Sequence, residues 1–354
     1  MAFDANVAQE QLIRIYQKAY TDLLEKIAEK QARGTSTQFQ RSLLRDVENT
    51  LEEVNGHTKK WAEQAIPKTY KQALEETRAW WRSQGADVPA VSADFQTVHK
   101  RAVQVIAENF VENMTDATAF VGRRIRDQWR RTALDVIGDR EATGETLREA
   151  KKKFLQRMSD RGFTAFRDVR GRQWRLDAYA DMAIRSTGRE VTNTALINQQ
   201  REFESDHVQF TSHANPCEIC APLEGRVYSI SGNDDRFPAL DKAFEEGYAN
   251  IHPNCRHSLR PYVPEFDDDV DSTARESNRS FQRDPRTQAE KEAYEREQTK
   301  RRREREDRKQ YERYKLALPD DAPKTFAGFK RMKEADSERY RQMQADLRHI
   351  TREG

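Results

Sequence analysis

All three cysteines and four of the seven histidines of this chain fall between His207 and His257. The strings are His213-Ala-Asn-Pro-Cys217-Glu-Ile-Cys220 and, after 31 intervening residues, His252-Pro-Asn-Cys255-Arg-His257. A Cys-x2-Cys knuckle offers two thiolates from one tight turn, and a distant Cys/His pair completes the tetrahedron that zinc prefers. The spacing therefore predicts a metal site built from Cys217, Cys220 and Cys255, with His252 or His257 as fourth ligand and His213 as an outside candidate. Four protein ligands leave no open position for water or substrate, so the predicted role of the metal is structural. The competing reading is that the thiols are small packed side chains.

The rest of the composition sets limits around that window. Hydrophobic residues make up 36% of the 354 positions and charged residues 34%, more charge than an ordinary globular domain carries. Part of the chain is therefore expected outside any core. No run of about 18 apolar residues occurs, and the start, MAFDANVAQEQ, has neither a basic nor an apolar signal region, so membrane insertion and classical secretion are not expected. Three cysteines, an odd number, suit a reduced compartment and a metal site better than a disulfide framework.

Three segments differ in texture. Residues 1–138 read as long helices, since Leu12, Ile13, Tyr16, Tyr20, Leu23 and later Leu43, Val47, Leu51, Val54 recur at spacings of three and four. Gly34 to Ser36 should separate the first two helices, Pro67 should kink or end the second, and Ser92 should cap a third that ends near Gly138. From 139 to 266 a short helix after Thr143 and a longer one from Leu176 to Phe203 precede three β-prone runs, around Val208, Val227 and Leu259. The remaining 267–354 contains no Leu, Ile, Val or Met between Ser272 and Lys315, which predicts a solvated single helix or disordered linker before one small docking helix. The expected fold class is α+β: a mostly helical half, a bundle or long hairpin, then a small module with a short sheet and zinc site, then a charged tail.

Catalytic patterns fail. Pro216-Cys217-Glu-Ile-Cys220 matches half of the zinc deaminase signature, but no His-x-Glu supplies its acid/base carboxylate, because His57, His99 and His207 are followed two positions later by Lys, Arg and Gln. His-Glu-x-x-His, Gly-x-Ser-x-Gly, Gly-x-Gly-x-x-Gly and P-loop strings are absent too. No catalytic residue is expected, and the alternative kept open is a zinc-containing nuclease or effector. Residues 123–175 carry 16 basic and 8 acidic side chains, net +8, which suits either solvated helix faces or sequence-independent contact with DNA phosphates.

The ordered strings Trp174-Arg-Leu-Asp-Ala-Tyr179, Cys217-Glu-Ile-Cys220-Ala-Pro-Leu-Glu-Gly225, Ile251-His-Pro-Asn-Cys255-Arg-His257 and Pro261-Tyr-Val-Pro264 resemble the tailed-phage minor head proteins, specifically the minor capsid protein 2 family and its Mu F-like relatives. The resemblance covers roughly residues 140–266, and the charged tail reads as peculiar to this chain. It implies a low-copy virion protein, associated with the portal inside the procapsid and made in the host cytoplasm. Its implied partners are portal, capsid and scaffold proteins, and its role lies in head assembly and DNA packaging or ejection. It also carries Cys217, Cys220, His252 and Cys255 onto the family's metal-binding pattern, and His257 stands where relatives often have Cys, which favours His257 as a ligand.

Overall fold

The structure, a computed structural model, describes residues 3–33, 37–143, 165–167, 173–244, 251–252, 255–280, 284–318 and 320–352. It opens with three long helices, α1 (Ala5–Arg33), α2 (Thr37–Ser83) and α3 (Ala93–Thr143). A two-stranded antiparallel hairpin follows, β1 (Ala165–Arg167) against β2 (Gln173–Arg175), and leads directly into α4 (Leu176–Glu202). The expected break at Gly34 to Ser36, the expected short helix after Thr143 and 26 of the 53 residues of the basic segment lie outside the described residues.

Apolar periodicity located the helices but not all their ends. Pro67 neither ends nor interrupts α2. It forfeits one backbone bond, while Ile66 and Tyr70, both buried, anchor the turns beside it. Gly138 likewise lies within the 51-residue α3, because one glycine costs a helix only about 1 kcal/mol against alanine. Ser92 does cap α3, its Oγ accepting from Phe95 N at 3.3 Å. Gly85, with φ +82°, supplies the left-handed turn that closes α2.

The chain forms two compact units, each gathered from three stretches: Met1–Ile13, His57–Met114 and Ala180–Glu297 in the first, and Arg14–Gly56, Thr115–Tyr179 and Gln298–Gly354 in the second. In the second unit the buried stripes of α1 (Tyr16, Tyr20, Leu23), α2 (Leu43, Val47, Leu51, Val54) and α3 (Ala117, Val121, Ile125) form a helical core. A satellite core joins Tyr314, Leu318 and Ala322 to Phe329, Tyr340 and Met343. These come from α7 (Gln288–Ala317), α8 (Phe326–Glu334) and α9 (Glu338–Arg352). The tail is therefore a charged helix followed by two small helices, not one, because a turn around Asp336 (φ +42°) folds the second back on the first.

The first unit holds the sheet. Strand β3 (His207–Phe210) lies between β4 (Val227–Ser229) and β5 (Leu259–Pro261), both antiparallel to it, pairing Val208 with Tyr228 and with Pro261. All three strands fall on the expected β-prone runs. Val208, Phe210, Tyr228 and Leu259 pack with Leu196 and Ile197 of α4, with Leu223, and with Leu240 of the short helix α5 (Leu240–Ala243) and Phe244 just beyond it. A second cluster of Val227, Phe237 and Tyr262 receives Val270 and Ala274 of α6 (Val270–Ser277). The stretch after Phe266 thus contributes to a core. Arg226, 4% exposed, donates to the carbonyls of Ser277, Arg279 and Ser280, and Ser277 Oγ accepts from Val227 N at 3.0 Å.

A polar seam crosses the same unit. Asn198 donates to the Tyr70 hydroxyl at 2.8 Å, and that hydroxyl meets His99 Nδ1 at 2.9 Å. Burial lowers the pKa of His99, against the opposite pull of Glu202. A depressed histidine favours the fold above its unfolded value of about 6.5 and loses that contribution as pH falls through the folded value. Acidification from pH 7.5 to 5 should therefore lower the thermal midpoint, and His99→Gln should flatten that slope. An identical pH slope in the variant would show that His99 does not titrate in this range.

Candidate metal centre

The Cys217–Cys220 turn is built as a knuckle. Asn215 takes a left-handed φ of +56°, buried Pro216 leads into it, and Cys220 N donates to Cys217 Sγ at 3.4 Å while Ala221 N donates to Cys217 O at 2.9 Å. Cys220 then opens the 3-10 turn Ala221–Leu223, all three residues of which are buried, with Leu223 in the sheet core. Opposite it, Cys255 N closes a turn onto His252 O at 3.2 Å. The interval is again x2, so the second string is folded as tightly as the first.

The five predicted donors converge. Cys217, Cys220 and His252 form one group and Cys220, Cys255 and His257 another, with ligand atoms inside each group within 4.8 Å of one another. Cys220, fully buried, belongs to both. Its Sγ lies 3.1 Å from His252 Nε2 and 3.6 Å from Cys255 Sγ. His252 Nε2 is also 3.2 Å from Cys217 Sγ, and His257 Nδ1 is 3.6 Å from Cys255 Sγ. Soft sulfur with imidazole nitrogen is the donor set of zinc and its neighbours, so the residues fit such an ion.

Electrostatics point the same way. A hydrogen bond from Cys220 pulls the Cys217 thiol down to about 4 against the effect of burial, with help from His252. The Cys255 thiol is lowered chiefly by Cys220, and then by His252 and His257. Cys220, whose proton serves both neighbours, is pushed up. Thiols lowered by their neighbours give up their protons to a dication more readily than free ones. Arg189, whose own pKa burial lowers, sits in the field of Cys255 and Cys220. Burial draws His257 down, but Cys255 and Glu224 outweigh it and raise its pKa.

A family model described as phage minor capsid protein 2 matches residues 5–351. The chain belongs to the phage minor capsid protein 2 family. The match extends well beyond the 140–266 stretch on which the resemblance was read. The first helices and the charged tail lie within the minor capsid protein 2 span, so the tail is not peculiar to this chain. A "structural protein" of Lactococcus phage LL-H is 28% identical over 106 residues, covering 28% of this chain and 29% of that protein. This chain therefore spans less than a third of that relative. No solved structure matches it.

Sequence reasoning named all five residues of this minor capsid protein 2 cluster and missed the groups around them. His213 is exposed and stands edge-on to His257 with ring centroids 4.7 Å apart, outside both donor groups. His207 turns away to Asp234 at 2.8 Å. Glu224 reaches His257 Nε2 at 2.6 Å, and Arg286 donates to Pro216 O at 3.1 Å from beyond the sheet. Both lie outside the Cys/His strings, and no spacing rule connects Glu224 to a histidine 33 positions away.

Proposed function

We propose that this protein is a non-enzymatic minor component of the phage head, present in few copies, associated with the portal inside the procapsid, and acting in head assembly and DNA packaging or ejection. The observation that carries this reading is a minor capsid family match running almost the length of the chain. The relative described as a structural protein is in keeping with it. The partners are portal, capsid and scaffold proteins, and the net +8 segment at 123–175 offers phosphate contacts to packaged DNA. Among the described residues no helix is long and apolar enough to cross a membrane.

Three thiolates and one imidazole form a closed shell, so the ion is a structural zinc that staples the short sheet. Quantitative mass spectrometry of purified heads and procapsids should find the protein at a few to tens of copies per particle. Its absence from both would remove the reading. Incubation with plasmid DNA and RNA, with and without chelator, should give no cleavage, whereas chelator-sensitive cleavage would establish the nuclease alternative.

A further inference from the structure

Two imidazoles compete for one coordination position, and a carboxylate outside the Cys/His strings separates them. Tetrahedral zinc, with Zn–S near 2.3 Å and Zn–N near 2.0–2.1 Å, sets sulfur and nitrogen ligands about 3.5–3.6 Å apart. His257 Nδ1 lies 3.6 Å from Cys255 Sγ. His252 Nε2 lies 3.1 and 3.2 Å from two sulfurs, closer than co-ligands sit and suited to an N–H shared between thiolates. His252 is also only half-buried, whereas His257 is 5% exposed.

The His257 ring is fixed on every side. It stacks on Phe210 with centroids 4.9 Å apart and planes 8° from parallel, and His213 abuts its edge. Its Nε2 meets Glu224 Oε1 at 2.6 Å, and the same oxygen accepts from His213 N at 2.8 Å. Gly225, with φ +73°, turns the chain into β4 just after Glu224. Its N–H donates to Phe210 O at 3.0 Å and its carbonyl accepts from Gln209 Nε2 at 2.6 Å, so the carboxylate is held by the strand that carries the stacking ring. A carboxylate that accepts the Nε2 proton leaves Nδ1 bare and aimed at the sulfurs, the arrangement that orients and strengthens a histidine ligand.

Building on the structural-metal reading, we infer that Glu224 is a positioning residue that fixes the tautomer of His257 and makes His257 Nδ1 the fourth ligand. His252 caps the thiolates of Cys217 and Cys220 from outside the coordination shell. Loss of such a carboxylate typically weakens metal binding about 10- to 100-fold.

The test uses the full chain loaded with zinc, and follows metal transfer to a chromophoric chelator. Glu224→Ala should release zinc 10- to 100-fold faster than wild type, and His257→Ala at least as fast. Glu224→Gln, which retains an acceptor oxygen, should fall in between. Glu218→Ala removes an equal charge from an exposed site between the two cysteines and should release zinc at the wild-type rate, and His252→Ala should change release by less than a few fold. Nitrogen-15 spectra of the loaded protein should show His257 protonated at Nε2 and metal-bound at Nδ1, a signature that a merely structural carboxylate would not set. Wild-type release from Glu224→Ala, or metal on His252 instead of His257, would overturn the inference while leaving the metal site intact. Wild-type protein without zinc would overturn the underlying reading instead.

Discussion

Replacing Cys220 by serine should cost the protein its metal and the order of the segment between β3 and β5. Cys220 is the one donor common to both halves of the cluster, and its side chain is fully buried. A hydroxyl is a harder and far less acidic donor than a thiol, so the variant loses both the bond and the charge that would hold a borderline-soft dication. Metal-dependent folds draw on the order of 10–16 kcal/mol from structural zinc at neutral pH. The effect should accordingly exceed the ~100-fold limit of an outer-shell change. Wild-type protein should contain about one zinc per chain, and Cys220→Ser close to none. Hydrogen exchange and proteolysis should rise between Thr211 and Ser258, with little loss of helical circular dichroism, since the bundle core of the second unit shares no residue with the site. Cys217→Ser should act in the same direction. Near-zero metal in wild type and unchanged protease resistance in both variants would show that the thiols are packed side chains and nothing more.

The second large effect belongs to Arg175, in the other unit. Its guanidinium grips Asp177 through two bonds, of 2.8 and 3.1 Å, and reaches Glu312 Oε1 at 2.6 Å. It also lies 4.2 Å above the Tyr20 ring, and the Tyr20 hydroxyl donates to Glu312 at 2.9 Å. With side-chain exposures of 18% for Arg175 and 14% for Glu312, removal of one partner strands the other charge in a poorly solvated site. Arg175→Ala should therefore cost about 3–5 kcal/mol, measurable by denaturant unfolding. Burial already raises the pKa of Glu312, and Arg175 is the chief influence opposing that rise. A carboxyl raised in the fold stabilises it relatively at low pH, so the deficit of Arg175→Ala should shrink as pH falls far enough for Glu312 to take up a proton. Arg175→Met with Glu312→Leu should recover most of the loss, because an apolar pair of similar volume avoids desolvating two charges. A deficit below 1 kcal/mol would mean that water reaches the pair freely.

How far the sequence could be read depended on whether the deciding interaction was local. Helix periodicity and strand alternation concern neighbours along the chain, and the buried stripes of α1 and α2 and the three strands of the sheet appeared where they predicted. The sulfur knuckle was legible for the same reason, because Cys-x2-Cys is a local geometry. Gly138 misled as a helix end, and Pro67 did not end α2, because local breakers are weak beside the packing of a 51-residue and a 47-residue helix. Two groups of interactions could not be read at all. Arg226 and Ser277 tie α6 to the sheet across some 50 positions, and Glu224 finds His257 across 33. The tail looked coreless because it has no Leu, Ile, Val or Met from Ser272 to Lys315. What that stretch contributes comes through Ala274, Tyr311 and Tyr314, through backbone carbonyls and through one serine hydroxyl, none of which a count of large aliphatic residues registers.

Five helices, α1, α2, α3, α4 and α7, each lend residues to both compact units. On the ribosome, the first unit waits for Glu297 and the second for the turns around Tyr340 and Met343. Most of the helices must therefore persist as partly exposed intermediates, a demand that favours slow, chaperone-assisted maturation over stepwise folding. No single cut isolates either unit: a fragment ending at Glu297 keeps the first unit whole but carries severed stretches of the second, and one starting at Arg14 does the reverse. Exchange between phages is constrained in the same way. A recombination crossover anywhere between Arg14 and Glu297 would divide both units at once, which gives a physical reason for that stretch to be inherited as one piece.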